Sequence, residues 1–320
     1  MAVYTVVSEQ QLRAFLAGYD IGEPQDFRGI AEGVENSNFL LRTDRGAFIL
    51  TLYEKRVARG DLPFFLGLMQ HLAARGIVCP TPIVGRDGQA LRELAGRPAA
   101  IVSHLQGVWP RRIHPFHCAE VGRHLARLHA AGADFPLHRP NDLSAAGWRS
   151  LLDGCSPLGD SLHEGLVGAL RDEVAHLEAT WPTGLPTGVI HADLFPDNVF
   201  FRDETLTGLI DFYFACNDFL AYDLAICLNA WCFDAEGHFN VGHGRLLLNA
   251  YAAERPLRDD ERTALPTLAR GAAVRFLLTR LFDWLHHPPG AFVQPKDPLE
   301  YWRKLQFHQQ VADASVYGLA

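Results

Sequence analysis

The first regular signal along the chain is an apolar stripe. Leu12, Phe15 and Leu16 recur at helical spacing behind Ser8, whose side chain suits a helix N-terminus, and predict a short helix through about Gly18. The pattern changes after Pro24. Phe39 to Thr43 and Ala47 to Tyr53, separated by Asp44-Arg45-Gly46, predict a β-hairpin. Leu62 to Arg75 returns to helical spacing and stops at Gly76, with Pro80 and Pro82 beyond it. Ile83-Val84 and Gln89 to Leu91, around Arg86-Asp87-Gly88, predict a second hairpin, and Pro98 to Leu105 a further strand.

Gln106 to Pro110 interrupts that run and marks a hinge. Helix dominates beyond it. His117 to Ala131 carries Val121, Leu125 and Leu128 on one stripe, stopped by Gly132. Residues 136–160, rich in Pro, Gly, Ser and Asp, read as loop. Leu162 to Trp181 reads as helix, Val189 to Phe214 as short β segments, and helix resumes at Ala221 to Phe233, Gly244 to Glu254, Asp259 to His286 and Leu299 to Val316. The 320 residues exceed one core of about 150, so two lobes are expected: a β-rich one over residues 1–105 and a helical one over 106–320, an α+β, bilobal layout.

Composition narrows the function classes. Apolar residues at 48% and charged residues at 21% exclude disordered and fibrous chains. The net charge is −8, and no basic cluster exceeds the pair Arg111-Arg112, which argues against nucleic-acid partners. The apolar stretch around Ala272–Leu285 is broken by Arg275, Arg280 and Asp283, so no membrane span is expected there. The N-terminal residues carry no secretory pattern. Six scattered cysteines without a CxxC pair fit a reducing compartment, and the expected location is the cytoplasm.

The chemistry concentrates in residues 188–212, GVIHADLFPDNVFFRDETLTGLIDF. Val189-Ile190, Asn198 to Phe201 and Gly208 to Phe212 are strand-like. His191, Asp193 and Asn198 share one tight loop, and Asp211 ends the last strand. Two carboxylates and an amide oxygen at one edge of a small β unit suit Mg²⁺, which prefers a few oxygen ligands completed by phosphate and water. The spacing also matches a phosphoryl-transfer pattern. A loop Asp is followed five residues on by a metal-binding Asn, and a later Asp-Phe supplies the second ligand. Asp193 then orients and deprotonates a substrate hydroxyl, while Asn198 and Asp211 hold metal against phosphates. A polar turn explains one of these residues, not all four. Gly29 to Asn38 reads either as an ordinary turn or as a loop offering the backbone N–H groups of Asn36, Ser37 and Asn38 to nucleotide phosphates.

EGVENSNFLL (32–41), FILTLYEKR (48–56), LPFFLGLMQHLAARG (62–76), IHADLFPDNVFF (190–201) and LIDFYFACNDFLAYDLAICLNAW (209–231) carry a family resemblance. The chain resembles the aminoglycoside phosphotransferase-like kinases over nearly its whole length, and among them most the bacterial homoserine kinases. The resemblance implies the bilobal protein-kinase-like fold. It implies an ATP- and Mg²⁺-dependent small-molecule kinase with Asp193 as base and Asn198 and Asp211 as metal ligands. Gln106 would contact adenine through its backbone, His191 would brace the loop, and Asp223 would support that loop from a helix start. The implied acceptor is the side-chain hydroxyl of L-homoserine, on the way to threonine. Choline, methylthioribose or an aminoglycoside are the alternative acceptors, and a catalytically silent ligand-binding pseudokinase is the alternative class. Two departures stand out. Thr51 occupies the strand position that is Lys or Arg in many relatives, and the Leu62–Arg75 helix offers no acidic partner for one. Lys55 or Arg56 would then meet phosphate from a different position.

A hydroxy-amino acid needs an acceptor for its ammonium and a cation for its carboxylate. Tyr213 and Asp218, just past Asp211, supply the first candidates, with Asp218 for the ammonium. Arg275 or Arg280 is the candidate for the carboxylate. The fifteen histidines show no metal-ligand spacing.

Overall fold

Ser8 caps α1 (Glu9–Leu16), accepting from the N–H of Gln11 while the Gln11 side chain answers the Ser8 N–H. The computed structural model describes residues 5–30, 36–54, 57–156, 158–287 and 295–319. Five antiparallel strands follow α1 in spatial order β1-β2-β3-β5-β4: β1 (Pro24–Gly29), β2 (Ser37–Thr43), β3 (Gly46–Leu52), β4 (Arg92–Leu94) and β5 (Arg97–Ser103). The expected first hairpin is β2–β3, with Thr43 opposite Gly46.

The expected second hairpin lies elsewhere. Residues 85–89 close a tight turn, but the strands that pair are β4 and β5, around Ala95-Gly96. Both turn residues have positive φ, at 52° and 74°, as a two-residue hairpin turn requires. Pro80 and Pro82 limit the earlier segment to a bridge from Pro82 to Val102, flanked by bonds from the Ile83 N–H to Ile101 and from the Ser103 N–H to Thr81.

The sheet is buried on both faces, and side-chain alternation shows how. Leu50, Leu52, Ala99 and Ile101 pack with Leu12, Phe15 and Leu16 beneath α1. Tyr53, Ala100 and Val102 point the other way, into the core shared with α2 (Leu62–Ala74) and the helical region. Thr51 therefore faces the helical region with Tyr53.

Beyond the sheet come α3 (Pro115–Ala131), α4 (Ala145–Cys155), α5 (Leu166–Thr180), α6 (Leu220–Trp231), α7 (Val241–Glu254), α8 (Asp259–Leu285) and α9 (Leu299–His308). The segment 136–160, read as loop, contains α4. Ser144 stands at its N-terminus, and Trp148, Leu152 and Cys155 form its buried stripe. Those apolar positions were the usable signal, outweighed by the surrounding turn residues. Among the described residues no helix is long and apolar enough to cross a membrane.

One buried histidine gives the fold a pH signature. His308 lies between the Tyr317 hydroxyl at 2.7 Å and Asn229 Oδ1 at 3.1 Å, so the neutral ring has a partner at each nitrogen. Burial, with Lys304 and Arg270 nearby, pushes its pKa down to about 3. The unfolded chain binds this proton near pH 6.5. Above that the group contributes no pH dependence, and stability is lost as pH falls from there towards 3. Between pH 7.5 and 5, urea titrations should show the native chain losing about 2 kcal/mol more than His308→Gln does. Equal pH slopes for the two proteins would remove His308 from this role.

Candidate active site

The site is built on two small strand pairs. β6 (Thr187–Ile190) pairs with β9 (Cys216–Phe219), and β7 (Val199–Arg202) pairs with β8 (Thr205–Leu209). In the second pair Val199 stands opposite Leu209. The residues flanking its open end, Asn198 and Ile210-Asp211, are therefore neighbours by register. The Ile210 N–H donates to the Asn198 carbonyl at 2.9 Å. The structure thus brings Asp193, Asn198 and Asp211 together at one end of a hairpin. β9 was not anticipated from sequence. It runs back along β6 and places Asn217 opposite Val189 and Asp218 opposite Gly188.

Asn198 donates its amide to the Asp193 carbonyl at 2.8 Å and to Asp193 Oδ2 at 3.1 Å. Both bonds use the nitrogen, which leaves Oδ1 outside the contact with Asp193. Asp193 is half-buried among the loop and α8. That burial pushes its pKa up to about 8, Arg275 opposes the shift, and the charges of Asp211 and Asp197 add to it. A carboxyl in these surroundings binds a proton more strongly than an ordinary carboxylate does.

A neutral His191 ties the Asp193 loop to the end of β8. Its Nε2 lies 3.0 Å from the Ile210 carbonyl and its Nδ1 3.3 Å from the Asp193 N–H. Donation at Nε2 leaves Nδ1 to accept. Burial lowers the pKa of the ring, which keeps it neutral. This is a brace between the Asp193 loop and the strand that delivers Asp211. Asp211 itself has φ 64° and ψ 62°, a left-handed conformation that turns the chain into the 3-10 turn Phe212–Phe214.

Asp223, in the first turn of α6, holds the loop from behind. Its carboxylate accepts the N–H groups of His191 and Ala192 at 2.7 and 2.9 Å, and His129 Nε2 lies 3.1 Å away. Burial alone would raise its pKa, but His129 and His191 outweigh it and hold the carboxyl below its usual range. The chain of contacts runs on from His129 to the Tyr251 hydroxyl at 2.8 Å, then to Arg255 and Glu261.

The other expected site residues are spread around this centre. Asn36, Ser37 and Asn38 stand at the start of β2, and residues 31–35 lie outside the described residues. Their side chains engage the sheet. Ser37 donates to Glu54 at 2.7 Å, and Asn38 Oδ1 accepts from Thr51 at 2.8 Å. Lys55 and Arg56 also lie outside the described residues. Gln106 follows β5, and its carbonyl accepts the Thr207 hydroxyl at 2.7 Å while Val108 pairs with Phe201. Gly107 permits this crossing, because its φ is 141° and a Cβ there would meet Thr207 Oγ1 at 2.5 Å.

Tyr213 meets Tyr53 across the site, hydroxyl to hydroxyl at 3.2 Å. Tyr53 had no sequence signal beyond its place in a strand. Asp218 accepts from Asn141 at 2.7 Å and from the Phe219 N–H, and burial raises its pKa. Arg280 is paired with Glu300 at 2.6 Å and lies over the Tyr301 ring. Arg275 is nearly closed to solvent under the loop, where it donates to the Ala192 carbonyl. Lys296, which sequence reasoning passed over, reaches Asp197 at 3.1 Å and stands over the Phe195 ring.

The start of α2 is fastened by a different pair from a strand cation and a helix carboxylate. Asp61 accepts Arg139 Nε at 2.8 Å, and the Arg139 N–H donates to Asn217 Oδ1 at 3.0 Å. Helix α2 is thereby tied to the strand that follows Asp211.

Comparison with known proteins adds an independent finding. Residues 26–257 match the phosphotransferase enzyme family. A protein named homoserine kinase from Xanthobacter autotrophicus is 64% identical over 320 residues, covering all of both chains. Another of that name, from Rhodospirillum rubrum, is 63% identical with the same coverage. Among solved structures, an amicoumacin kinase in complex with AMP-PNP and Ca²⁺ superposes with a TM-score of 0.71 at 14% identity, covering 97% of this chain and 93% of its own. A choline kinase from Cryptosporidium parvum gives 0.64 at 15% identity, covering 89% and 88%. Both have the protein-kinase-like fold, a β-sheet part followed by a helical part, as this chain does.

Proposed function

The chain belongs to the phosphotransferase enzyme family, and on that premise we propose that it transfers the γ-phosphoryl group of ATP to the side-chain hydroxyl of L-homoserine, giving O-phospho-L-homoserine. The observation that carries the reaction class is the meeting of Asp193, Asn198 and Asp211 at the open end of the β7–β8 hairpin. The name shared by relatives more than 60% identical over the full chain supports the acceptor. Residues 1–105 serve as the nucleotide-binding lobe and 106–320 as the lobe carrying the catalytic loop and acceptor site.

In this reading Asp193 accepts the proton of the attacking hydroxyl, its carboxyl held by the Asn198 amide. Asn198 Oδ1 and the Asp211 carboxylate hold Mg²⁺. One carboxylate and one amide oxygen suit a cation whose shell is completed by phosphate oxygens and water. Among the described residues no cluster of three His, Cys, Asp or Glu forms a fuller cage. Bound there, Mg²⁺ supplies charge neutralisation at the transferred phosphoryl group. The backbone of Asn36 to Asn38 and of Gln106 meets the nucleotide. Asp218 takes the acceptor's ammonium, beside Tyr213. The acceptor's carboxylate lies on the side of the loop that carries Arg280 and Lys296.

A panel of homoserine, choline, methylthioribose and an aminoglycoside, read by coupled ADP release, tests the acceptor. Homoserine should exceed the others in kcat/KM by at least ~10², because a missing charged partner leaves a site group unpaired. A better rate with another acceptor would replace homoserine. ATP binding without ADP release on any acceptor would favour a silent ligand-binding module. Asp211→Asn tests the metal site separately. Calorimetry should show tight ATP binding in the presence of Mg²⁺ for the native chain, weakened at least ~10-fold by the substitution. Unchanged metal-dependent affinity would remove Asp211 as a ligand.

A further inference from the structure

Helix α8 is buried nearly all round at its centre, from Ala272 to Leu278, and Arg275 lies in the middle of that stretch at 2% exposure. A guanidinium in such a place is costly unless charge or hydrogen bonding compensates. Among the described residues no carboxylate lies within ion-pair distance of it. Its hydrogen-bond partner is the carbonyl of Ala192, reached by Nη1, while Nε is buried without a partner.

Ala192 is the residue before Asp193, and its φ is 62°. A left-handed alanine costs ~1–2 kcal/mol, so the surroundings must hold it there. Asp223 takes its N–H and Arg275 its C=O. The peptide leading into Asp193 is fixed at both ends, its oxygen by Arg275 and its N–H by His191 Nδ1 at 3.3 Å. The same guanidinium lies over two rings, its Cζ 4.3 Å from the Phe276 ring centre and 5.6 Å from that of Phe214, three residues beyond Asp211. One buried cation therefore touches both the loop that carries Asp193 and the turn that follows Asp211.

Resting on the kinase reading above, we infer that Arg275 is a positioning residue: it sets Asp193 and the Asp211 turn in their relative places by gripping the Ala192 carbonyl and lying over the Phe214 ring. It acts without touching the acceptor. A single ammonium at this position keeps the charge and one donor but loses the breadth with which the guanidinium spans the carbonyl and the two rings. Misplacing a reacting group by about 1 Å costs ~10² in rate.

Steady-state kinetics on the full chain, with homoserine and ATP varied in turn, separate the possibilities. Arg275→Gln should lower kcat ~10²-fold with both KM values within ~3-fold of native. Arg275→Lys, which keeps the charge and one donor, should fall between Gln and native and serves if the Gln protein fails to fold. Circular dichroism on each variant checks the fold. A KM for homoserine raised more than ~10-fold at native kcat would overturn the inference and make Arg275 the carboxylate's partner. Native kcat and KM with only a lowered Tm would reduce it to a structural residue. If the native chain phosphorylates a different acceptor, the homoserine reading fails, and the same kcat-against-KM comparison on that acceptor still decides Arg275.

Discussion

Asp193→Asn should lower turnover by ~10²–10⁴ while leaving nucleotide affinity within a few-fold of native. An amide of the same shape can still accept the Asn198 bond that now reaches Asp193 Oδ2 at 3.1 Å, so the loop keeps its geometry. What it loses is the capacity to take a proton. Burial and the charges of Asp211 and Asp197 raise the proton affinity of the native carboxyl against the opposing Arg275. The predicted loss corresponds to about 3–5 kcal/mol of transition-state stabilisation. Single-turnover measurements at saturating ATP give the rate, and calorimetry gives the affinity. Near-native turnover would take the base role away from Asp193.

Asp223→Ala should have the largest effect on stability, a loss of about 3–5 kcal/mol, with activity falling alongside it. The carboxylate is fully buried and holds two backbone N–H groups and the His129 ring. Alanine strands all three donors in the interior, each at a cost of about 1–3 kcal/mol before relaxation. Two of them belong to His191 and Ala192, so the loop loses its left-handed turn as the fold weakens. A total stability of typically 5–15 kcal/mol leaves little beyond such a loss. Urea unfolding followed by tryptophan fluorescence reads the change directly. A loss below 1 kcal/mol would mean that neighbouring side chains or water substitute for Asp223.

Much of the fold was legible because period and punctuation agreed locally. The hairpin of β2 and β3 was readable from alternation and its Asp-Arg-Gly turn, and α1 from a capping serine and three spaced apolar residues. The hairpin placed at Ile83 to Leu91 failed for a local reason. Its turn residues were real, but Pro80 and Pro82 deny the flanking chain a ladder, while Ala95-Gly96 twist two other strands into register. Helix α4 failed for the opposite reason, since turn-forming residues around it outweighed a short apolar stripe. Strand β9 carries Asn217 and Asp218 amid few apolar residues, and its strand character comes from pairing with β6.

The amino-acid sequence by itself determined which oxygen-bearing groups meet at the end of the β7–β8 hairpin, because their spacing along two short strands makes them neighbours by register. It also determined that an extended sheet precedes a helical body, since side-chain period is a local property. Only the tertiary structure decided what each charge does. Arg275 and Arg280 look alike along one helix, yet the first is closed under the Ala192 carbonyl and the second is matched by Glu300. Asp61, at the start of α2, is tied to the strand after Asp211 by Arg139, 78 positions away. Burial and partnership between distant residues are set when the chain closes on itself, and no local pattern encodes them.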